Sequence, residues 1–206
     1  MTKKEAHILV GGLSKPSKMP CYGYSLPASA CKLGSKLRSV PGSTCEKCYA
    51  HRGNYGFPAV RSSLAKRLSL VQKACDDLTF RKRFIQAFTV LLKGQEYFRW
   101  HDSGDLQDME HAMLIRDICL ATPNTKHWIP TREYAIARVL LRLKTPNLTV
   151  RCSAPMIDGP PPMFRHTSTV VNGSGNCPAI ADHTGKCGDC RKCWNKRILN
   201  VAYGKH

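Results

Sequence analysis

The chain has 206 residues, 42% of them hydrophobic, and a formal net charge of +18. That length suits one domain, 1–206, and falls short of the roughly 250 residues of a complete eight-stranded α/β barrel. No apolar run nears the roughly 20 residues that span a bilayer, so no membrane association is expected.

At the N-terminus, the apolar stretch Ile8 to Leu13 is broken by Gly11 and Gly12 and no small-residue cleavage site follows, which points away from export and towards the cytoplasm. Residues 1–58 are rich in Gly, Pro, Ser and Cys and read as loops after a short strand near His7 to Val10. From 59 to 154 the pattern changes. Val60, Leu64, Leu68 and Val71 recur at helical spacing, as do Phe84, Ile85, Phe88, Leu91 and Leu92, with Gly94 as a stop. Tyr97 to His101 reads as a strand, and Asp105 or Asp108 is placed to cap a helix carrying Met109, Met113, Ile115 and Ile118. A strand at Lys126 to Pro130, a helix at Tyr134 to Leu143 and a strand at Leu148 to Cys152 complete the series. Residues 155–206 return to Pro, Gly and Cys. The expected fold is α/β: a parallel sheet, doubly wound or a partial barrel, with Cys-rich loop segments at both ends.

In such folds the strand-to-helix loops converge at the C-terminal strand edge. Here that edge carries His101, Asp102, Ser103, Gly104 and Asp105, then Arg132 and Glu133, then Ser153 to Pro155. His101, Asp102, Asp105, Arg132 and Glu133 form a candidate catalytic group of acids, base and cation. The plainer alternative is a capping Asp105 and a surface ion pair between Arg132 and Glu133.

Eleven cysteines are an odd number for disulfides and in a reducing compartment suggest metal ligands or buried small side chains. Cys177, Cys187, Cys190 and Cys193 include two consecutive two-residue gaps, a spacing that brings three thiolates to one face of a [4Fe–4S] cluster. Zinc is the rival, and His183 could replace Cys177. Cys21, Cys31, Cys45 and Cys48 form a second candidate metal set, with Cys45 and Cys48 as its tight element. Cys75, Cys119 and Cys152 read as core residues.

Lys18-Met19-Pro20, Ser25 to Ala28, Cys31, Cys45 to Ala50, Trp100 to Leu106 and Gly185 to Cys190 together resemble the phage gene product 88-like family, over most of the chain. The resemblance implies a phage-encoded protein working in the host cytoplasm. The Cys-x-x-Cys-Tyr-Ala element before a βα series is also similar to the phage gene product 37 and 68 group and to radical S-adenosylmethionine enzymes. The latter resemblance implies that Cys31, Cys45 and Cys48 hold a cluster with one iron open to S-adenosylmethionine, and that Ser103, Gly104 and Asp105 hold the cofactor's amino group. Thirteen residues separate Cys31 from Cys45, where those enzymes have three.

The charge points to nucleic acid, through Arg61, Lys66 and Arg67, through Arg81, Lys82 and Arg83, or through Arg191, Lys192, Lys196 and Arg197 with Trp194 and Tyr203 as stacking platforms. Two functions therefore stand side by side. One is an iron–sulfur protein, radical-SAM-like, acting on nucleic acid or nucleotide. The other is a non-enzymatic nucleic-acid-binding protein stabilised by zinc or a cluster.

Overall fold

The computed structural model describes residues 1–181 and 185–205, the side chains of Ile180 and Ala181 excepted. At the N-terminus the expected strand is a helix, α1 (Lys3–Val10). Its ends decide the matter. Thr2 accepts from Glu5 N–H at 3.2 Å while the Glu5 carboxylate accepts from Thr2 N–H at 2.7 Å, and Gly11 closes the helix with φ +73°. Such a reciprocal cap stabilises even a β-branched turn, and it puts Ala6 and Val10 on one buried face.

Strand β1 (Tyr22–Tyr24) leads through α2 (Lys32–Leu37), α3 (Pro58–Asp76) and α4 (Leu78–Leu91) to β2 (Tyr97–Trp100). Then follow α5 (Met109–Ala121), β3 (Lys126–Thr131), α6 (Tyr134–Arg142), β4 (Leu148–Ile157), β5 (Thr167–Val171), α7 (Pro178–Ala181) and β6 (Asn200–Gly204). Each strand pairs in parallel with the next in chain order, giving an unclosed sheet β1 to β6. A parallel sheet wound always in one direction carries its helices on one face, as in part of a barrel. The partial-barrel expectation therefore holds, and the edge strands come from the two Cys-rich segments.

The helix-covered face holds the main core: Phe98, Trp100, Ile129, Leu148, Val150 and Cys152 from the strands meet Phe84, Phe88, Leu114, Ile115, Ile118 and Leu140 from the helices. Cys152 was expected to end its strand at the active edge; β4 instead runs five residues further, and Cys152 faces this core. The Tyr24 hydroxyl donates to Val10 O at 2.8 Å, fastening α1 to the sheet.

The opposite, concave face has a different lining. There Trp128, Val201 and Cys21 pack with Cys193 and Trp194 of the C-terminal segment. The Arg151 side chain, fully buried on this face, donates to six backbone carbonyls: Cys193, Thr167, Leu199, Lys192, Asn195 and Ile198, at 2.9–3.3 Å. One guanidinium thus replaces the secondary structure that segment 192–199 largely lacks, because its fork of donors can satisfy carbonyls that would otherwise be buried unpaired.

Candidate metal centres at the strand edge and on the concave face

Cys31 ends a short 3₁₀ turn and opens α2, while Cys45 and Cys48 bracket a turn closed by Cys48 N–H to Cys45 O at 3.3 Å. The loop is fastened to the strand ends. Arg132 Nη2 donates to Thr44 Oγ1 at 2.6 Å, Thr44 N–H to Pro155 O at 2.9 Å, and Leu33 N–H to Glu133 Oε1 at 2.9 Å. Arg132 and Glu133 therefore hold the cysteine loop and do not pair with each other. A side chain at Gly34 would sit 3.6 Å from Cys31 Sγ and 3.7 Å from Cys45 Sγ, so the bare backbone there lets both sulfurs share one space.

Burial pushes the Cys31 thiol up to about 12, with Asp105, Cys48 and Cys45 adding to it and Arg132 opposing. Cys48 is raised by burial too, and again by Cys45, against Arg132 and Arg38. The thiols whose charges raise Cys31 and Cys48 lie close enough to repel them, and a bound cation removes that repulsion.

The loop after β2 divides its residues between support and site. Ser103 Oγ donates to Leu26 O at 2.8 Å and Leu26 N–H to Ser103 O at 3.1 Å, extending β1. Gly104, at φ +78°, passes so close that a Cβ would lie 2.7 Å from Leu26 Cβ. Asp105 is buried, accepting from Leu106 N–H at 2.7 Å and Arg132 N–H at 2.9 Å, and burial pushes its carboxyl up to about 6. The helix cap is Asp108, which accepts from His111 N–H at 2.8 Å. His101 is buried against the His111 ring, centroids 5.3 Å apart, with φ +54° and both ring nitrogens without hydrogen-bond partners.

Asp102 points towards the cysteine loop. Its Oδ2 accepts from Tyr55 at 2.7 Å, its backbone O accepts from the Tyr49 hydroxyl, and its buried Oδ1 has no hydrogen-bond partner. Tyr49, which the sequence marked only as the aromatic after Cys48, and Tyr55, which it did not single out, thus connect the cysteine loop to β2. The aromatic that follows Cys48 was the available signal for Tyr49.

On the concave face, Cys177, Cys187, Cys190 and Cys193 line one small cavity with Trp194 and Val201. Cys21 belongs here and not with Cys31, Cys45 and Cys48. Its thiol is pushed up to about 12 by burial and also by Cys187 and Cys193, and Cys187 N–H donates to Lys18 O at 2.9 Å, clasping the two Cys-rich segments together. The reason is topological: Cys21 precedes β1 and so lies at the opposite end of that strand from Cys31. Cys193 Sγ lies 3.3 Å from the Tyr203 hydroxyl. His183 lies outside the described residues.

The family model described as Gene product 88 matches residues 1–170. The chain belongs to the gene product 88 family. This is the phage family whose motifs the sequence resembles. No curated protein and no solved structure matches, so the likeness to radical S-adenosylmethionine enzymes has no support from known proteins. The matched span of this gene product 88 protein includes Cys21, Cys31, Cys45 and Cys48, and it ends before Cys177.

Among the described residues no group of three or more His, Cys, Asp or Glu is arranged to hold a single metal ion. Four sulfurs around one zinc come within about 3.8 Å of each other, given zinc–sulfur bonds of about 2.3 Å. A cubane binds each thiolate to a different iron and so accepts a wider spread. The all-sulfur donor sets fit an iron–sulfur group in chemistry. No helix among the described residues is long and apolar enough to cross a membrane.

The positively charged clusters are engaged in part, and Arg61, Lys66, Lys82, Arg83 and Arg197 are exposed. Arg67 is buried and donates to Gly11 O and Ser14 Oγ, and Arg81 pairs with Asp117 at 2.8 Å. Arg191 and Lys196 donate to backbone carbonyls, while Trp194 is buried against Trp128 and donates to Phe98 O. Trp194 therefore covers the cysteine cavity and offers no platform for a base.

Proposed function

We propose that this protein is an iron–sulfur enzyme in which Cys31, Cys45 and Cys48 hold a [4Fe–4S] cluster at the strand edge and the concave-face cysteines hold a second. The carrying observation is the cysteine loop tied by Arg132, Glu133 and Thr44 to the ends of β3 and β4, where a one-way parallel sheet gathers its functional loops. Three protein thiolates leave one cluster iron without a protein ligand, and such a group supplies one-electron reduction of bound S-adenosylmethionine. Asp102 Oδ1 offers an acceptor beside that loop, Arg132 supplies a cation, and Tyr49 and Tyr55 fix Asp102 in place. The concave-face set, with four or five thiols and a wall of aromatic residues, suits a structural or electron-transfer cluster.

Anaerobically purified protein is expected to be brown and to contain iron and acid-labile sulfide. After reduction it is expected to cleave S-adenosylmethionine, with cleavage abolished in Cys48→Ala. Colourless protein with stoichiometric zinc would falsify the cluster assignment. Iron and sulfide without cleavage would leave the non-enzymatic, cluster-stabilised reading in its place.

A further inference from the structure

The cysteine loop lies in the most one-sidedly charged part of the chain. Residues 6–75 contain eleven Lys and Arg against a single carboxylate, Glu46. That carboxylate is engaged locally, accepting from Gly42 N–H at 2.9 Å. Lys32, Lys36, Arg38, Lys47 and Arg52 are all exposed along 32–52, on the segment that carries Cys31, Cys45 and Cys48. The ion pairs among the described residues lie elsewhere, at Arg81, Arg116 and Lys126.

Aromatic side chains stand among these cations. Phe57 is 58% exposed and Tyr49 47%, although the Tyr49 hydroxyl is turned in to Asp102 O. The Tyr49 ring lies 5.8 Å from that of Tyr55, whose hydroxyl reaches Asp102 Oδ2. Exposed rings beside spaced cations, at the rim of a recessed site, match a flexible polyanion that carries its own flat apolar groups. Single-stranded nucleic acid has that chemistry: phosphates contact the cations and unstacked bases lie on the rings. A duplex keeps its bases stacked inside and gains nothing from the rings.

We infer that the segment from Lys32 to Phe57 is a docking surface for single-stranded nucleic acid, which it presents to the site at Cys31, Cys45 and Cys48. The inference deepens the reading above by naming its substrate class and rests on that reading only for the word substrate. The dock is a different surface from the three clusters to which the sequence pointed, of which Arg67, Arg81, Arg191 and Lys196 are spent on contacts within the fold.

The test is fluorescence anisotropy of a labelled mixed-sequence single-stranded oligonucleotide against the full-length protein over a range of salt. Wild type is expected to bind with strong salt dependence. Arg38→Gln/Lys47→Gln/Arg52→Gln is expected to reduce the log–log salt slope by about 2, from three lost contacts at about 0.7 each on a single strand. Phe57→Ala is expected to weaken binding at least about fivefold with the slope retained. Lys82→Gln/Arg83→Gln, on the exposed surface of α4, is the control and leaves binding unchanged. Absence of binding by wild type, equal loss in the control, or equal competition by duplex or by heparin each overturns the inference. Iron and sulfide are measured on the same samples. Wild type that holds iron and sulfide but does not bind overturns only the dock, and wild type that binds but, purified anaerobically, holds stoichiometric zinc in place of iron and sulfide overturns only the cluster assignment.

Discussion

Arg151 shows how far one side chain can set the shape of a loop. A residue at that position in a buried strand reads as an anomaly, since β4 is otherwise apolar or hydroxylic, and the reason for it is visible only when the six carbonyls of its partners are in place. Arg151→Met keeps much of the volume but leaves those carbonyls buried without donors. We expect a loss of about 3 to 5 kcal/mol, read as a lower urea midpoint. Arg151→Lys restores the charge but not the fork and should recover only part of it. A wild-type midpoint for Arg151→Met would mean that the carbonyls find water. The same scale separates the two carboxylates that the sequence treats as equals. Both follow β2, but Asp105 spends both oxygens on backbone N–H groups and Asp102 keeps one back.

Among the elements, those that bury a regular stripe were legible and those defined by their ends were not. Helices α3 to α6 and strands β2 to β4 follow from the spacing of apolar residues, because each lies with one face on a large core. Helix α1 was misread because Ile8 and Val10 are β-branched, and the Thr2 and Glu5 cap outweighs that preference. Strands β1, β5 and β6 are three to five residues long and embedded in Gly-, Pro- and Cys-rich sequence, so neither period nor composition marks them. The two cysteine sets were readable as spacing, but the placement of Cys21 needed the direction of β1. Asp108, one of two candidate caps for α5, carries a clean prediction: Asp108→Ala should cost about 1 kcal/mol by thermal or urea unfolding. Gly104→Ala should cost more, since a Cβ there meets the Leu26 Cβ and backbone at a positive φ. If Gly104→Ala proves the milder of the two, the close contact between the β1 extension and the β2 loop is not rigid.

For the whole molecule, buried histidines set the response to acid. Burial holds His127 down to about 3 and His111 to about 4, and His101 well below its usual value. All three are neutral in both states at pH 7. Below about 6.5 the unfolded chain binds protons that the folded chain refuses, so stability falls on acidification by about 1.4 kcal/mol per pH unit for each excess proton. Asp105 opposes this between about pH 6 and 4, since its raised carboxyl takes up a proton more readily when folded. Three groups outweigh one. Urea midpoints are expected to drop from pH 7 to pH 5, and His127→Gln should flatten the slope; an unchanged or higher midpoint at pH 5 would contradict this.

The clasp between Lys18 and Cys187 also fixes an order of assembly. Lys18 and Cys21 precede every strand of the sheet, whereas Cys187 and Cys193 follow β5. The loop bearing Cys31, Cys45 and Cys48 is fastened by the ends of β3 and β4, so all of its partners are made before Cys187 is. The cavity on the concave face has no complete wall until Cys187 to Trp194 have joined Cys21. Its closure therefore comes second, after the strand-edge loop has the partners it needs.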